Sequence, residues 1–397
     1  MRVLHVTSTF PREDGDPTGP FLAQLCTAEH EAGVDVRVVA PHAPGLPLSQ
    51  VIGGVRVRRF RYGPAASEVL AYRGGLLAAA RSGSGAAMVP SYLAAMAAVA
   101  GSEARSWRAD LVHAHWWFPG GVAVATATRR PFVVTLHGSD VGLARRPSMR
   151  RAARYVFGRA GAVVAVSDWL AAEAATVVGL PRGAVGVGPM PVIVSGKRPW
   201  PPPRRTGPVR LVAVGRLAAE KGFDVLIDAV GLASANGLVV ELDVVGEGPE
   251  REALARRAAD RGVADAVHFL GALSPVERDR RVVAASALVA PSRREGLGLA
   301  AVEAVLLGTP VIASHTGGLP GALGAPIGST PALGSTRLVP GGVLVAPEDV
   351  AGLAAALSLA RGLPAPSGAA LVAAARHDPA AVAAQHIELY LGVLARS

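Results

Sequence analysis

The chain has 397 residues, of which 50% are hydrophobic and 18% charged, with a single cysteine, Cys26. That length exceeds one ordinary core and suits two domains, the apolar content excludes a disordered chain, and one cysteine excludes an intrachain disulfide and fits a reducing compartment. The formal net charge of +10 lies wholly in the first half, because residues 1–199 carry 22 Lys and Arg against 12 Asp and Glu, whereas residues 200–397 carry 18 of each.

Short apolar strands alternate with Ala-rich helical stretches from end to end, the mark of a parallel α/β architecture. The opening Met1-Arg-Val-Leu-His-Val-Thr-Ser reads as a strand running into a polar loop, not as a signal peptide. Strands are predicted at 3–7, 34–40, 111–114, 132–136 and 162–166, then at 209–214, 239–244, 267–270, 287–290 and 310–313. Residues 64–101 are low in complexity, and no run of 18 or more apolar residues escapes interruption by charge, Gly or Pro, so no membrane span is predicted. A cytoplasmic chain is expected. Residues 197–208 are rich in proline, which removes backbone donors and fixes φ, so they read as a linker. The domains are therefore expected at 1–196 and 209–378, with 379–397 forming a helix that returns to the first. Two Rossmann-like domains are expected to face each other across a cleft, and such sheets bind ligands beyond the carboxyl ends of their strands.

The strand ends carry the chemistry-bearing residues. The loop from Thr9 through Gly19 follows the first strand and precedes a helix; it reads either as a cover over a diphosphate or as a surface connection. His113 and His115, beside Trp116 and Trp117, end another strand, and the absence of a neighbouring Cys, Asp or Glu in the sequence argues against a metal. His137, in Thr135-Leu-His-Gly-Ser-Asp140, is either a ligand for a sugar hydroxyl or a satisfied structural histidine. Arg145, Arg146, Arg150, Arg151 and Arg154 concentrate positive charge on a helix and its lead-in, and Tyr155 and Phe157 add a modest apolar face. A basic half of this kind attracts anionic partners, a membrane surface or a phosphorylated acceptor among them, unless it is merely a soluble surface. No recognised nucleic-acid module accompanies it.

In the second half, Gly215-Arg216-Leu217-Ala-Ala-Glu220-Lys221-Gly222 follows a strand directly, so that Arg216 and Lys221 can hold one diphosphate. Val245-Gly246-Glu247-Gly248-Pro249 is too short for a dinucleotide fingerprint and reads as a tight strand exit lining a nucleotide. Leu270, near the end of the next strand, either offers backbone groups to a base edge or is an ordinary buried strand terminus. Glu295-Gly296-Leu297-Gly298-Leu299 leads into an Ala- and Leu-rich helix that carries Glu303. Glycines there admit phosphate to free N–H groups at the positive helix end. At a rise of about 1.5 Å per residue the two carboxylates stand roughly 8–10 Å apart, enough to grip two different sugars.

Taken together, these motifs resemble the family 4 glycosyltransferases, retaining enzymes of the GT-B fold with two Rossmann-like domains, and the resemblance spans nearly the whole chain. It implies that Arg216 and Lys221 hold the donor diphosphate, that Glu295 binds sugar hydroxyls, and that Glu303 binds the ribose. It implies further that Gly296, Leu297, Gly298 and Leu299 present backbone to phosphate and sugar, that Gly246 and Leu270 line the nucleotide, that His137 contacts the sugar, and that Gly19 meets the diphosphate. The expected function is that of a hexosyltransferase moving a sugar from a nucleoside-diphosphate sugar to an acceptor hydroxyl with retention, by front-face substitution and without metal or other cofactor. A lipid-linked or anionic acceptor is expected. A non-catalytic sugar-nucleotide-binding protein of the same fold is the alternative.

Overall fold

The computed structural model describes all residues except 17, 69, 73–82, 197–206, 326, 327 and 329. The chain divides into two compact units, Met1–Pro191 joined by His377–Ser397, and Val192–Arg376. The first unit thus ends at Pro191, not at 196, because Val192 is buried in the second unit's core and the Ser195 N–H donates to Asp279 at 2.6 Å. Most of the proline-rich stretch expected as a linker lies outside the described residues.

In the first unit β1 (Arg2–Val6), β2 (Asp35–Pro41), β3 (Ser49–Ile52), β4 (Val55–Phe60), β5 (Leu111–His115), β6 (Phe132–Leu136), β7 (Ala162–Ala165) and β8 (Gly186–Val187) form one sheet in the order β3-β4-β2-β1-β5-β6-β7-β8. All neighbours are parallel except the β3–β4 hairpin. β5 and β6 are buried along their whole length, as strands covered on both faces by helices must be. The hairpin was not predicted, although Val55 and Val57 are buried in alternation with exposed Arg56 and Arg58, a legible two-residue period around the turn Gly53-Gly54.

The helix Gly83–Ser106 contains a stretch, Gly85–Ser106, that is long and apolar enough to cross a membrane by length and composition. Its Tyr92, Met96, Ala100 and Ala104, four residues apart, are buried, and the helix packs on the sheet of its own unit. That single buried stripe is the pattern of a core-facing helix. The helix Pro379–Leu394 starts with Pro at its first turn and is capped by Asp378, whose carboxylate accepts the Ala381 N–H at 3.0 Å. It packs against the helix Pro20–Glu31 and buries Tyr390 completely.

In the second unit β9 (Val209–Val214), β10 (Val240–Val245), β11 (Val267–Gly271), β12 (Ala287–Ala290), β13 (Val311–Ser314), β14 (Thr336–Val339) and β15 (Gly342–Val345) are ordered β11-β10-β9-β12-β13-β15-β14. Only β14, which like β15 was not predicted, runs antiparallel to its neighbour. The strand order reverses between β1 and β5 in one sheet and between β9 and β12 in the other. At such a switch point the two following loops diverge to opposite faces and leave a crevice.

Candidate active site

The loops that leave β9 and β12 meet at the second unit's switch point, and backbone contacts hold them together. Gly222 has φ +67°, and a Cβ there would stand 2.2 Å from the Pro291 carbonyl oxygen. Only glycine permits that approach, and it sets Lys221 opposite the β12 loop. The Lys221 ammonium donates to Glu295 Oε2 at 2.7 Å, and the Ser292 hydroxyl donates to the same oxygen at 3.2 Å. Arg293 braces the junction. Its guanidinium forks onto Asp224 at 2.8 Å for both bonds and donates to Glu348 at 2.8 Å and to the Ala219 carbonyl at 2.7 Å. Hydrogen bonds donated to Asp224 and Glu348 raise the Arg293 pKa further, so this charge is permanent.

The remaining glycines of this rim serve the same packing. A Cβ on Gly246 would lie 2.0 Å from the Gly215 carbonyl oxygen, and one on Gly248 would lie 2.2 Å from that of Leu217. The β10 exit is therefore sealed against the β9 loop. Gly317 and Gly318 clamp the other side, where Cβ atoms would come within 1.7 Å of the Glu295 oxygen and 2.7 Å of the Gly296 oxygen. Gly298, at φ +88°, caps the helix Leu299–Leu307 without a side-chain bond, as the sequence predicts for a glycine helix start. Leu297 is buried beneath the loop, while Leu299 and Leu270 are half-buried, Leu270 near the end of β11.

Arg216 and Lys221 each have a carboxylate partner: Arg216 pairs with Glu220, four residues on, and Lys221 pairs with Glu295. Glu303 likewise is engaged, with Arg278 Nη1 2.9 Å from its Oε1, and the same guanidinium is shared with the buried Asp279. Burial pushes the Glu303 pKa up to about 7 against the pull of Arg278, so Glu303 takes up a proton near neutrality.

Gly19 and His137 belong to the first unit. Gly19, at φ +66°, caps the helix Pro20–Glu31, with Thr9 side-chain atoms 3.3 Å from where its Cβ would be. The loop before it is pinned: Asp16 accepts from the Arg12 backbone and guanidinium and from the Thr18 N–H, and despite burial these bonds hold its pKa down to about 2. His137 follows β6, and its Nε2 lies 3.2 Å from His115 Nδ1. The Trp116 ring lies over it, tilted by 33°, at 4.2 Å between centroids, and Phe21 flanks it at 5.5 Å. Burial lowers its pKa to about 3, so the ring is neutral at pH 7. Trp116 itself has φ +60°, a left-handed conformation costing a non-glycine residue about 1–3 kcal/mol. Trp117 is fully buried and gives its indole N–H to the Asp140 carbonyl at 2.7 Å, which makes it a packing residue.

Asp140, quoted in the motif but given no role by it, organises this loop. Its carboxylate accepts the N–H groups of Trp117 at 3.1 Å, His137 at 3.2 Å and Gly138 at 3.0 Å. Burial raises its pKa to about 6 in spite of those donors. An aspartate three residues beyond a strand-end histidine, able to bond back to the preceding backbone, was the available signal.

The sequence argument against a metal at His113 and His115 rested on the lack of a nearby carboxylate, and that premise fails. Glu29 and His386 offer ligand atoms beside His113, and His5 joins His113 and His115, each group within 4.8 Å. His113 nevertheless spends both ring nitrogens on hydrogen bonds, to Tyr390 and to Thr135, each at 2.7 Å. The arginine helix is also reassigned in part. Arg154 donates to the Val178 carbonyl at 2.7 Å and so closes the end of the helix Asp168–Val178, while Arg146, Arg151, Arg159 and Tyr155 remain exposed.

Fold and switch-point loops place the chain among α/β proteins built of two Rossmann-like units, and comparison with known proteins narrows the class. Residues 197–360 match the model "Glycosyl transferases group 1", and residues 18–191 match "Glycosyl transferase 4-like domain". Glycogen synthase of Mycobacterium tuberculosis is 31% identical over 90% of this chain and 85% of its own. Among solved structures, sucrose-phosphate synthase from Thermosynechococcus elongatus superposes with a TM-score of 0.75 at 20% identity, covering both chains completely. Anabaena HepE in complex with UDP-glucose superposes at 0.66 and 19% identity over 98% of this chain and 99% of its own. The chain belongs to the family 4 glycosyltransferases, with the GT-B fold, and its reaction class is sugar transfer.

Proposed function

We propose that the chain is a retaining hexosyltransferase that uses a nucleoside-diphosphate sugar and works without a metal. The observation that carries this reading is the Lys221–Glu295 contact at the switch point of the second sheet, beside the glycine-capped helix Leu299–Leu307. A donor diphosphate there exchanges the carboxylate partners of Lys221 and Arg216 for phosphate oxygens, and Glu295 is released to accept from sugar hydroxyls. Gly296 to Leu299 turn backbone toward the phosphates, Gly246 and Leu270 flank the nucleotide, and Glu303 accepts from the ribose. That HepE was solved with UDP-glucose supports such a donor for a chain of this fold.

In the reaction the C1–O bond to the diphosphate breaks with its electron pair passing to the phosphate oxygen. The acceptor hydroxyl oxygen bonds to C1 on the same face, and its proton goes to the departing phosphate. Negative charge builds on the leaving group, where Lys221, Arg216 and the helix end stabilise it. His137 donates a hydrogen bond to the sugar. Retention by a covalent intermediate would need a free carboxylate, and Asp140, next to His137, is 1% exposed and committed to three N–H donors. The exposed arginines of the helix Pro147–Arg159 and its lead-in favour an anionic or lipid-linked acceptor.

Replacement Lys221→Ala tests the reading: with a panel of nucleotide sugars, transfer or donor hydrolysis falls by about 10²–10³-fold, and undiminished turnover overturns it. Chelation leaves the rate unchanged if no metal takes part. Sedimentation with phosphatidylglycerol vesicles at low and high salt tests the acceptor side, and no binding at low salt refutes a membrane role.

A further inference from the structure

Five histidines and one glutamate form a connected group inside the first unit, His386 joining through Glu29 Oε1 at 3.3 Å, and the proposed reaction uses only the outermost, His137. His5 on β1, His113 and His115 on β5, and Glu29 on the helix Pro20–Glu31 are each at most 1% exposed. His5 Nε2 lies 2.8 Å from Glu29 Oε2, His5 Nδ1 lies 3.0 Å from His115 Nε2, and His115 Nδ1 lies 3.2 Å from His137 Nε2. The contacts run head to tail, His5 and His115 each using both nitrogens, from a buried carboxylate to the His137 ring beneath Trp116. Tyr390 donates to the other Glu29 oxygen at 2.7 Å, and His113 joins that branch through Tyr390.

A neutral imidazole has one donor and one acceptor nitrogen, so a head-to-tail row permits only two hydrogen arrangements, and the end group selects between them. We propose that Glu29, His5 and His115 are positioning residues that fix the tautomer of His137, so that its hydrogen sits on Nδ1 and is offered as a donor. The proposal rests on the reading of His137 as a sugar-contacting group. Beside the Glu29 carboxylate, His5 carries hydrogen on both nitrogens. Its Nδ1–H then donates to His115 Nε2, the His115 Nδ1–H donates to His137 Nε2, and His137 keeps its own hydrogen on Nδ1. Among the described residues no hydrogen bond is made to that Nδ1. Burial opposes the charge on His5, but Cys26 and Glu29 beside it raise its pKa, while burial lowers those of His115 and His137 and leaves both neutral. A merely structural cluster needs no such order, because Tyr390 and the apolar core already hold the helices together.

The experiment is a two-bond ¹H–¹⁵N correlation of the histidine rings in the full chain, with His137 assigned by its loss in His137→Gln. Wild type shows His137 protonated on Nδ1. In Glu29→Gln the amide oxygen accepts from a neutral His5, the row reverses, and His137 is protonated on Nε2; transfer falls about 10- to 100-fold, the range for a group acting through another. His115→Gln interrupts the row without touching Glu29, and it removes the Nδ1 preference if the first variant folds poorly. Tyr390→Phe is the control: it deletes a bond to Glu29 outside the row, so it lowers the melting temperature and leaves the His137 tautomer as in wild type. Wild-type His137 protonated on Nε2, or the same tautomer in wild type, Glu29→Gln and His115→Gln, overturns the proposal. A tautomer reversal with undiminished transfer upholds the row and refutes the sugar-contacting role of His137 instead.

Discussion

Replacing Gly222 with alanine should damage both stability and transfer, and the structure separates the two effects. The residue sits at φ +67°, where an L side chain costs about 1–2 kcal/mol. The new methyl would also stand 2.2 Å from the Pro291 oxygen, and relieving an overlap of about 1 Å in a packed region adds about 1–3 kcal/mol. A loss of about 2–5 kcal/mol lowers the melting temperature of a unit this size by roughly 4–20 °C. The relief must part the β9 and β12 loops, and a shift of about 1 Å between reacting groups costs on the order of 10²-fold in rate. Gly237→Ala isolates the first effect, since Gly237 has φ +88° with nothing within 4 Å of the added methyl. It should lose about 1–2 kcal/mol, roughly 2–8 °C, and keep its activity. Differential scanning fluorimetry and an initial-rate assay on the two variants decide the matter. Equal melting losses, with Gly222→Ala as active as wild type, would refute the reasoning.

Glu303 gives a pH signature. Its pKa stands at about 7 in the folded chain against an ordinary 4.5, so the folded state binds the extra proton, the Glu303 contribution to stability is fully present below about pH 4.5, and about 3 kcal/mol of it is lost as pH rises through 7. Glu303→Gln cannot ionise, so its melting temperature should gain on wild type between pH 5 and pH 8; a constant difference over that range would count against the buried-acid account. Arg293→Lys keeps the charge but loses the fork onto Asp224 and the bond to Glu348, and should lower the urea midpoint by about 1–3 kcal/mol of stability; an unchanged midpoint would show that the brace is dispensable. Asp140→Ala leaves three backbone N–H groups without their acceptor, and should cost about 2–4 kcal/mol together with most of the activity. Full activity in a stable Asp140→Ala would free the His137 loop from any dependence on it.

The parts of this architecture that were legible are those written locally. Strands buried on both faces read as unbroken apolar runs, and the glycines after β9, β10 and β12 marked strand exits. What the sequence hides is which distant backbone each glycine must meet. Nothing near Gly317 reveals that its hydrogen faces the Glu295 carbonyl, or near Gly222 that Pro291 lies against it. The same holds for Glu29, which reads as an ordinary acidic residue on a helix until folding sets it against His5, His386 and Tyr390. The pairing of Lys221 with Glu295 could be placed on one rim, yet its directness could not, since an ion pair across 74 positions leaves no periodic trace.

The helix Pro379–Leu394 bears on how the molecule comes to be made. Domains usually fold in the order in which the ribosome releases them, at about 5–20 residues per second. Here the first unit cannot close when its own stretch, Met1–Pro191, has emerged, because Tyr390 and His386 belong to its interior. All of Val192–Arg376 must be synthesised first, a wait on the order of ten seconds or more. During that interval Glu29 and His113 lack their tyrosine partner and the slot beside the helix Pro20–Glu31 stands open. The second unit, translated without interruption, is thus the one able to finish first.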